Sequence, residues 1–270
     1  MLERRLPRLC AAVFAAVLVA GCATSPTGRS QLKLMSEQQL NQMGQQSFAQ
    51  LKQKEQVATS PAANSYVACV SHAVLRQIPG GGAGWEIVVF QDDAVNAFAM
   101  PGRKIGVYTG LLEVATTPDE LAAVIGHEIV HVLADHANER ISQQVAASLG
   151  VDILSALAGT RSKAAGDIAQ NVLGAGAQVG ILLPFSRLHE SEADRVGLEL
   201  MAKAGFDPRA AVTLWQNMAK ASSGQPPQFL STHPSHGTRI SELQARMPQA
   251  LQFYESARAA GRRPECRVPG

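Results

Sequence analysis

Apolar residues recur at helical spacing along most of the chain, and only the stretch around residues 85–108 breaks into the short runs typical of strands. A first helix starts at Ser36, where Ser36-Glu37-Gln38-Gln39 is a capping-box sequence and Leu40, Met43, Phe48 and Leu51 recur with helical period. A second follows Ser60-Pro61, turns Tyr66, Val67, Val70, Val74 and Leu75 to one side, and stops at Pro79-Gly80-Gly81-Gly82. Residues 85–90 and 104–108 read as strands, with 96–102 as the connection between them. From Thr117 onward the pattern is helical. Thr117-Pro118-Asp119-Glu120 supplies a capping threonine, a proline at the first helical position and a glutamate three residues past the cap, so a helix is expected through about His136. Further helices are expected over 141–158, 163–182, 186–204 (stopped by Gly205), 208–221 and 239–259. The charge-poor, Ala- and Gly-rich stretch 151–185 reads as a helix packed inside protein or a mobile cover, since Gln170, Asn171 and Gln178 argue against a membrane span.

The beginning of the chain has a different character. Arg4, Arg5 and Arg8 precede an apolar run over 9–20 that ends Val19-Ala20-Gly21-Cys22, the proportions of a secretory signal. Small-small-Cys after such a run resembles the lipobox of bacterial lipoproteins, with Cys22 as the lipidated residue; Ala23 after it resembles the outer-membrane-sorted kind. The expected location is therefore a bacterial cell envelope, lipid-anchored in the outer membrane and facing the periplasm. Residues 1–21 are read as the signal, 22–35, rich in Ser, Thr, Gly and Pro near its start, as a tether, 36–260 as one catalytic domain with its core at 61–247, and 261–270 as a tail.

At 270 residues and 46% hydrophobic, the chain can enclose one substantial core. Removing Arg4, Arg5, Arg8 and Glu3 with the signal leaves basic and acidic residues equal in number, so no positive field remains to draw a nucleic acid. Of four cysteines, Cys10 leaves with the signal and Cys22 takes the lipid. Cys69 and Cys266 are then either a disulfide pair, as an oxidising compartment allows, or two separate thiols.

The chemistry is concentrated in Gly126-His127-Glu128-Ile129-Val130-His131. Two histidines four apart on a helix face the same way and can share one zinc ion, while Glu128, about 100° round, can reach a water beside the metal without binding the metal. A random ordering of this composition gives H-E-x-x-H in roughly one chain in a hundred. A hydrolytic zinc site needs a third ligand and an open fourth position. Downstream, Glu190 and Asp194 are four apart on a helix and share a face, so Glu190 can bind the metal while Asp194 orients a histidine from behind. Glu192, rotated by about 200°, should look away.

H-E-x-x-H followed by Glu190-Ser191-Glu192-Ala193-Asp194 resembles the zincin metallopeptidase family of the CAAX prenyl-protein endopeptidase and HtpX. The likeness extends over Asn96-Ala97-Phe98-Ala99, Gly110-Leu111-Leu112 and Ser231-Thr232-His233-Pro234, and in size and leader it is nearest the envelope lipoproteins of the LoiP and YcaL kind, without the repeat domain of BepA-like relatives. The resemblance implies an α+β, mostly helical, gluzincin-like fold with a small β-sheet beside the H-E-x-x-H helix, one Zn2+ per chain on His127, His131 and Glu190, and Glu128 as general base. It further implies Asp194 as the acid behind a ligand or a proton donor, His233 as a histidine in a loop across the cleft, and strand 105–108 as a substrate-binding edge. Substrates would be unfolded or misassembled envelope proteins. Two rivals stay open at this level: a zinc-binding chaperone that cleaves nothing, and a structural lipoprotein with a chance motif.

Overall fold

In the computed structural model, residues 22–157, 185–221, 227–234 and 237–269 are described. The leader, the helix expected over 163–182 and most of the stretch 151–185 read as a packed helix or cover lie outside them. The described chain runs β1 (Cys22–Thr24), β2 (Ser30–Leu32), α1 (Glu37–Lys54), α2 (Pro61–Leu75), β3 (Glu86–Phe90), β4 (Ala97–Met100), β5 (Lys104–Tyr108), α3 (Thr109–Leu112), α4 (Pro118–Leu133), α5 (His136–Leu157), α6 (Arg187–Ala204), α7 (Arg209–Ala221), α8 (Gln228–Thr232) and α9 (Arg239–Ala259). Among the described residues no helix is long and apolar enough to cross a membrane.

The caps read from sequence are in place. Ser36 and Thr117 each form a reciprocal capping box, with Gln39 and Glu120, and Ser186 accepts a hydrogen bond from the His189 N–H. Helix α4 is buried at 12 of its 16 positions, so it forms the centre of the molecule rather than a surface element. Helices α2, α6 and α7 pack around it, with the sheet at one side.

The sheet has the order β3-β5-β4, with β5 parallel to β3 and antiparallel to β4. Strand β4 was expected as connection. It is only four residues, Ala-Phe-Ala-Met, and its extended form comes from pairing with β5, which no local pattern shows. The placement of β5 corrects a second expectation: it is the central strand, hydrogen-bonded on both sides, so it cannot receive a substrate strand. Phe98 lies across from Gly106, where a Cβ would meet its ring at 2.2 Å, and joins Phe48, Phe90 and Tyr108 in an aromatic layer that seats α1 on the sheet.

Two further corrections concern the ends of elements. The helix expected through His136 stops at Leu133, because Asp135 takes a left-handed conformation (φ 51°) and a new helix begins at His136. Residues 22–35, expected as a tether, contain an antiparallel hairpin, β1 with β2, whose polar side chains meet partners behind α4. Gln31 donates to the freed carbonyl of Ala134 (2.6 Å) and to Glu139 (2.8 Å). A polar segment is ordered here because it satisfies buried acceptors left by the end of α4. At the other terminus, Cys266 is joined to Cys69 by a disulfide that fixes the tail to α2, and Gly205 (φ 94°) lets the chain pass where a Cβ would meet the Arg262 carbonyl at 2.2 Å.

Helices α4 and α6 cross at Gly126 and Gly197. A Cβ on Gly197 would meet the His127 backbone nitrogen at 2.8 Å and its Cα at 3.0 Å. In an ordinary helix, Gly→Ala gains about 1 kcal/mol. Here backbone stands on the other side and cannot rotate away, so Gly197→Ala should lose about 1–3 kcal/mol by overpacking. Urea unfolding reads this directly; a variant as stable as the wild type would show that the helices can part without cost.

Candidate metal centre

The crossing brings ligating atoms from three elements together. His127 and His131 come from α4, Glu190 from the first turn of α6, and His233 from the end of α8, and their donor atoms all lie within 4.8 Å of one another. All four residues are buried. His127 Nε2 is 3.0 Å from His131 Nε2, 3.2 Å from His233 Nδ1 and 3.5 Å from Glu190 Oε2. Glu190 Oε1 is 3.4 Å from His131 Nε2 and 3.1 Å from His233 Nδ1. An ion bound tetrahedrally at zinc–nitrogen distances of about 2.0–2.1 Å spaces its donors by roughly 3.3 Å. The observed separations bracket that value, and a His3Glu donor set suits zinc.

Behind the donors stands a layer of orienting groups. Asp194, one turn after Glu190, lies 2.9 Å from His127 Nδ1 and so leaves Nε2 for the centre. Arg239, the first residue of α9, donates to Asp194 (2.6 Å) and to Glu190 Oε2 (2.9 Å), with its guanidinium 3.4 Å from the Trp215 ring centre. Sequence reading passed over Arg239. Its position six residues after His233, opening the last helix, was the available signal, but an arginine at a helix start is ordinarily exposed.

Glu128 points to the sheet side. Its Oε2 accepts from the Ala99 N–H (3.1 Å), while Oε1 is buried with no hydrogen-bond partner, 3.3 Å from His233 Nε2. An unpaired buried carboxylate oxygen beside a donor cluster marks where a polar reactant belongs. Burial raises the Glu128 carboxyl above its ordinary range, opposed by His233 and His127. Burial also opposes the charge on Glu190, but His127 and His233 pull its carboxyl well below the usual range. Two adjacent buried imidazoles cannot both be cationic. Burial works against charge on both, yet Glu190 and Asp194 push His127 up to about 9, while His131 is driven well down.

Glu192 keeps out of the cluster, as its helical phase requires, but it does not face solvent. It is buried against His136 (3.2 Å), Arg29 (2.9 Å) and Thr27 (2.6 Å). His136 is fully buried, with its Nδ1 2.9 Å from His131 Nδ1, and His189 is directed to Glu139 (3.2 Å), away from the centre. A groove of about 540 Å3 borders His131 and runs between α1, the glycine turn after α2 and the β4–β5 turn.

The model of the peptidase family M48 matches residues 61–247, spanning both metal-binding helices and His233. The mitochondrial metalloendopeptidase OMA1 of Schizosaccharomyces pombe is 39% identical over 175 residues, 64% of this chain and 50% of that protein. The mitochondrial metalloendopeptidase OMA1 of Bos taurus is 33% identical over 243 residues, 85% of this chain and 46% of that protein. The beta-barrel assembly-enhancing protease of Yersinia pestis is 29% identical over 212 residues, 77% and 43%. The chain thus spans about half the length of the curated relatives it matches. These names overturn the expected location: the relatives at 33% and 39% identity are mitochondrial, which speaks against a lipid-anchored protein of the bacterial outer membrane. With a family match over more than half its length and the motif residues gathered at one buried centre, the chain belongs to peptidase family M48.

Proposed function

We propose that this chain is a zinc-dependent endopeptidase whose metal is held by His127, His131 and Glu190, with His233 at the fourth position in the resting form. The observation that carries the reading is the set of four buried donors within 4.8 Å of one another, with Glu128 Oε1 lacking a hydrogen-bond partner beside it. Zinc supplies Lewis acidity there, lowering the pKa of a water molecule and polarising the scissile carbonyl. The chain's own residues do the rest. Glu128, held by the Ala99 N–H, takes the proton from water and delivers it to the leaving amine. Asp194 and Arg239 hold His127 and Glu190 in place.

The substrate is polypeptide in extended form. Strand β4 is the edge of the sheet next to Glu128, and its outward groups are those a peptide would pair with, which reads backbone more than side chains. That suits non-native proteins, whose backbone is open to pairing, as substrates. The Phe229 N–H now bonds the Val95 carbonyl (3.0 Å) just before β4, and the Phe229 ring stacks on His233 at 4.4 Å, so segment 227–233 lies across the entry to this edge. Its withdrawal would take His233 away from the other three donors and open the centre to substrate.

Purified protein should contain one zinc, and Glu128→Gln should keep it while hydrolysis of unfolded casein falls by about 10²–10⁴-fold. Zinc present with no cleavage by either form would instead indicate a non-cleaving chaperone, and no zinc would leave the motif without function.

His233→Ala should also retain zinc, because three ligands remain. Opening the fourth position should raise turnover of short unstructured peptides, by about tenfold if displacing His233 costs about 1.4 kcal/mol. Steady-state kinetics near neutral pH measure this, and unchanged turnover would remove His233 from the resting state.

A further inference from the structure

A second chain of contacts runs from the metal centre to the N-terminal hairpin. His131 presents Nε2 to the cluster and Nδ1 to His136 Nδ1 at 2.9 Å. Only one of two facing Nδ1 atoms can carry the hydrogen. His136 Nε2 lies 3.2 Å from Glu192 Oε2, and a carboxylate there accepts, so His136 carries its hydrogen on Nε2 and accepts from His131 at Nδ1. This fixes His131 with its lone pair on Nε2, toward the centre. Glu192 is held in turn by Arg29 through Nε (3.2 Å) and Nη2 (2.9 Å), while the same guanidinium grips Glu139 with Nη1 (2.6 Å) and Nη2 (2.7 Å). Thr27 adds a 2.6 Å bond to Glu192. Glu139 and Glu192 are both buried, and among the described residues Arg29 is the arginine that bridges them.

We propose that the N-terminal hairpin is part of the metal centre: Arg29, Glu192 and His136 are positioning residues that fix the tautomer and orientation of His131. The inference rests on the zinc reading above and deepens it. It assigns the segment 22–32 a role in metal retention, so a contact that pulls the hairpin away would loosen zinc without touching a ligand. Arg29 stands three contacts of the network from His131, yet among the described residues it is the arginine whose guanidinium lets these two buried carboxylates sit side by side behind α4.

The test is zinc affinity of the full chain, measured by competition with a chromophoric chelator, alongside the visible absorption of the cobalt-substituted protein and circular dichroism of each metal-free form. Arg29→Gln and His136→Phe should each weaken zinc binding by about 10–100-fold and alter the cobalt spectrum, with the fold retained. Because both act through His131, the double variant should be no weaker than the more severe single variant by more than about threefold. Lys33→Ala removes the half-buried tie from the end of the hairpin to Asp135 (2.6 Å) and touches none of these groups, so its affinity should stay within about twofold of wild type. If Arg29→Gln does not fold, Arg29→Lys, which keeps the charge and loses the fork, is judged by the same measure. Wild-type affinity in a folded Arg29 variant, or losses that multiply in the double variant, would overturn the role of the hairpin while leaving the zinc site intact. A wild-type protein that binds no zinc would remove both.

Discussion

The metal centre depends on how closely α4 and α6 can cross. Two imidazoles one turn apart are an ordinary feature of a helix; a carboxylate meeting both of them from another helix is not. Gly126 and Gly197 face each other at the crossing, where a Cβ on either would meet backbone at 2.8 Å, and the contact lies beside His127. About two helical turns toward the start of α6 from that contact stands Glu190. Interaxial spacing, and with it the reach of the Glu190 carboxylate, is therefore set by two missing side chains.

Close approach creates an electrostatic problem that the rest of the fold resolves. Glu128, Glu190, Asp194, Glu139 and Glu192 are all drawn into or near the interior, where an uncompensated carboxylate costs several kcal/mol. Two arginines from distant parts of the sequence answer this, Arg239 on Glu190 and Asp194, and Arg29 on Glu139 and Glu192. Each guanidinium bridges two acids in fixed geometry, which a lysine could not do as well. What remains is a cluster of electron-pair donors, with Glu128 Oε1 unpaired, arranged for a cation and a polar reactant.

The parts legible in the sequence are those whose cause is local. Ser36, Thr117 and Ser186 announce their helices because a cap is a contact over three residues, and His127, Glu128 and His131 announce the metal because their relation is set within one helix turn. Glu190 was legible from its spacing to Asp194 on one helix face, His233 came through resemblance, and the structure brings both to the same centre. Strand β4, the break at Asp135, the hairpin at 22–32 and the buried Arg239 were not legible, since each is decided by a partner far along the chain: β5 for β4, Gln31 for the carbonyl freed at Ala134, Trp215 and two carboxylates for Arg239. The disulfide was open for the same reason, as its two cysteines are 197 residues apart.

The most direct measurement of the account is the anomalous difference density at the zinc absorption edge in crystals of the metal-loaded protein. A single peak about 2.0–2.2 Å from His127 Nε2, His131 Nε2 and a Glu190 oxygen is the predicted result. A peak coordinated elsewhere, or none at this centre in protein shown to contain zinc, would contradict it.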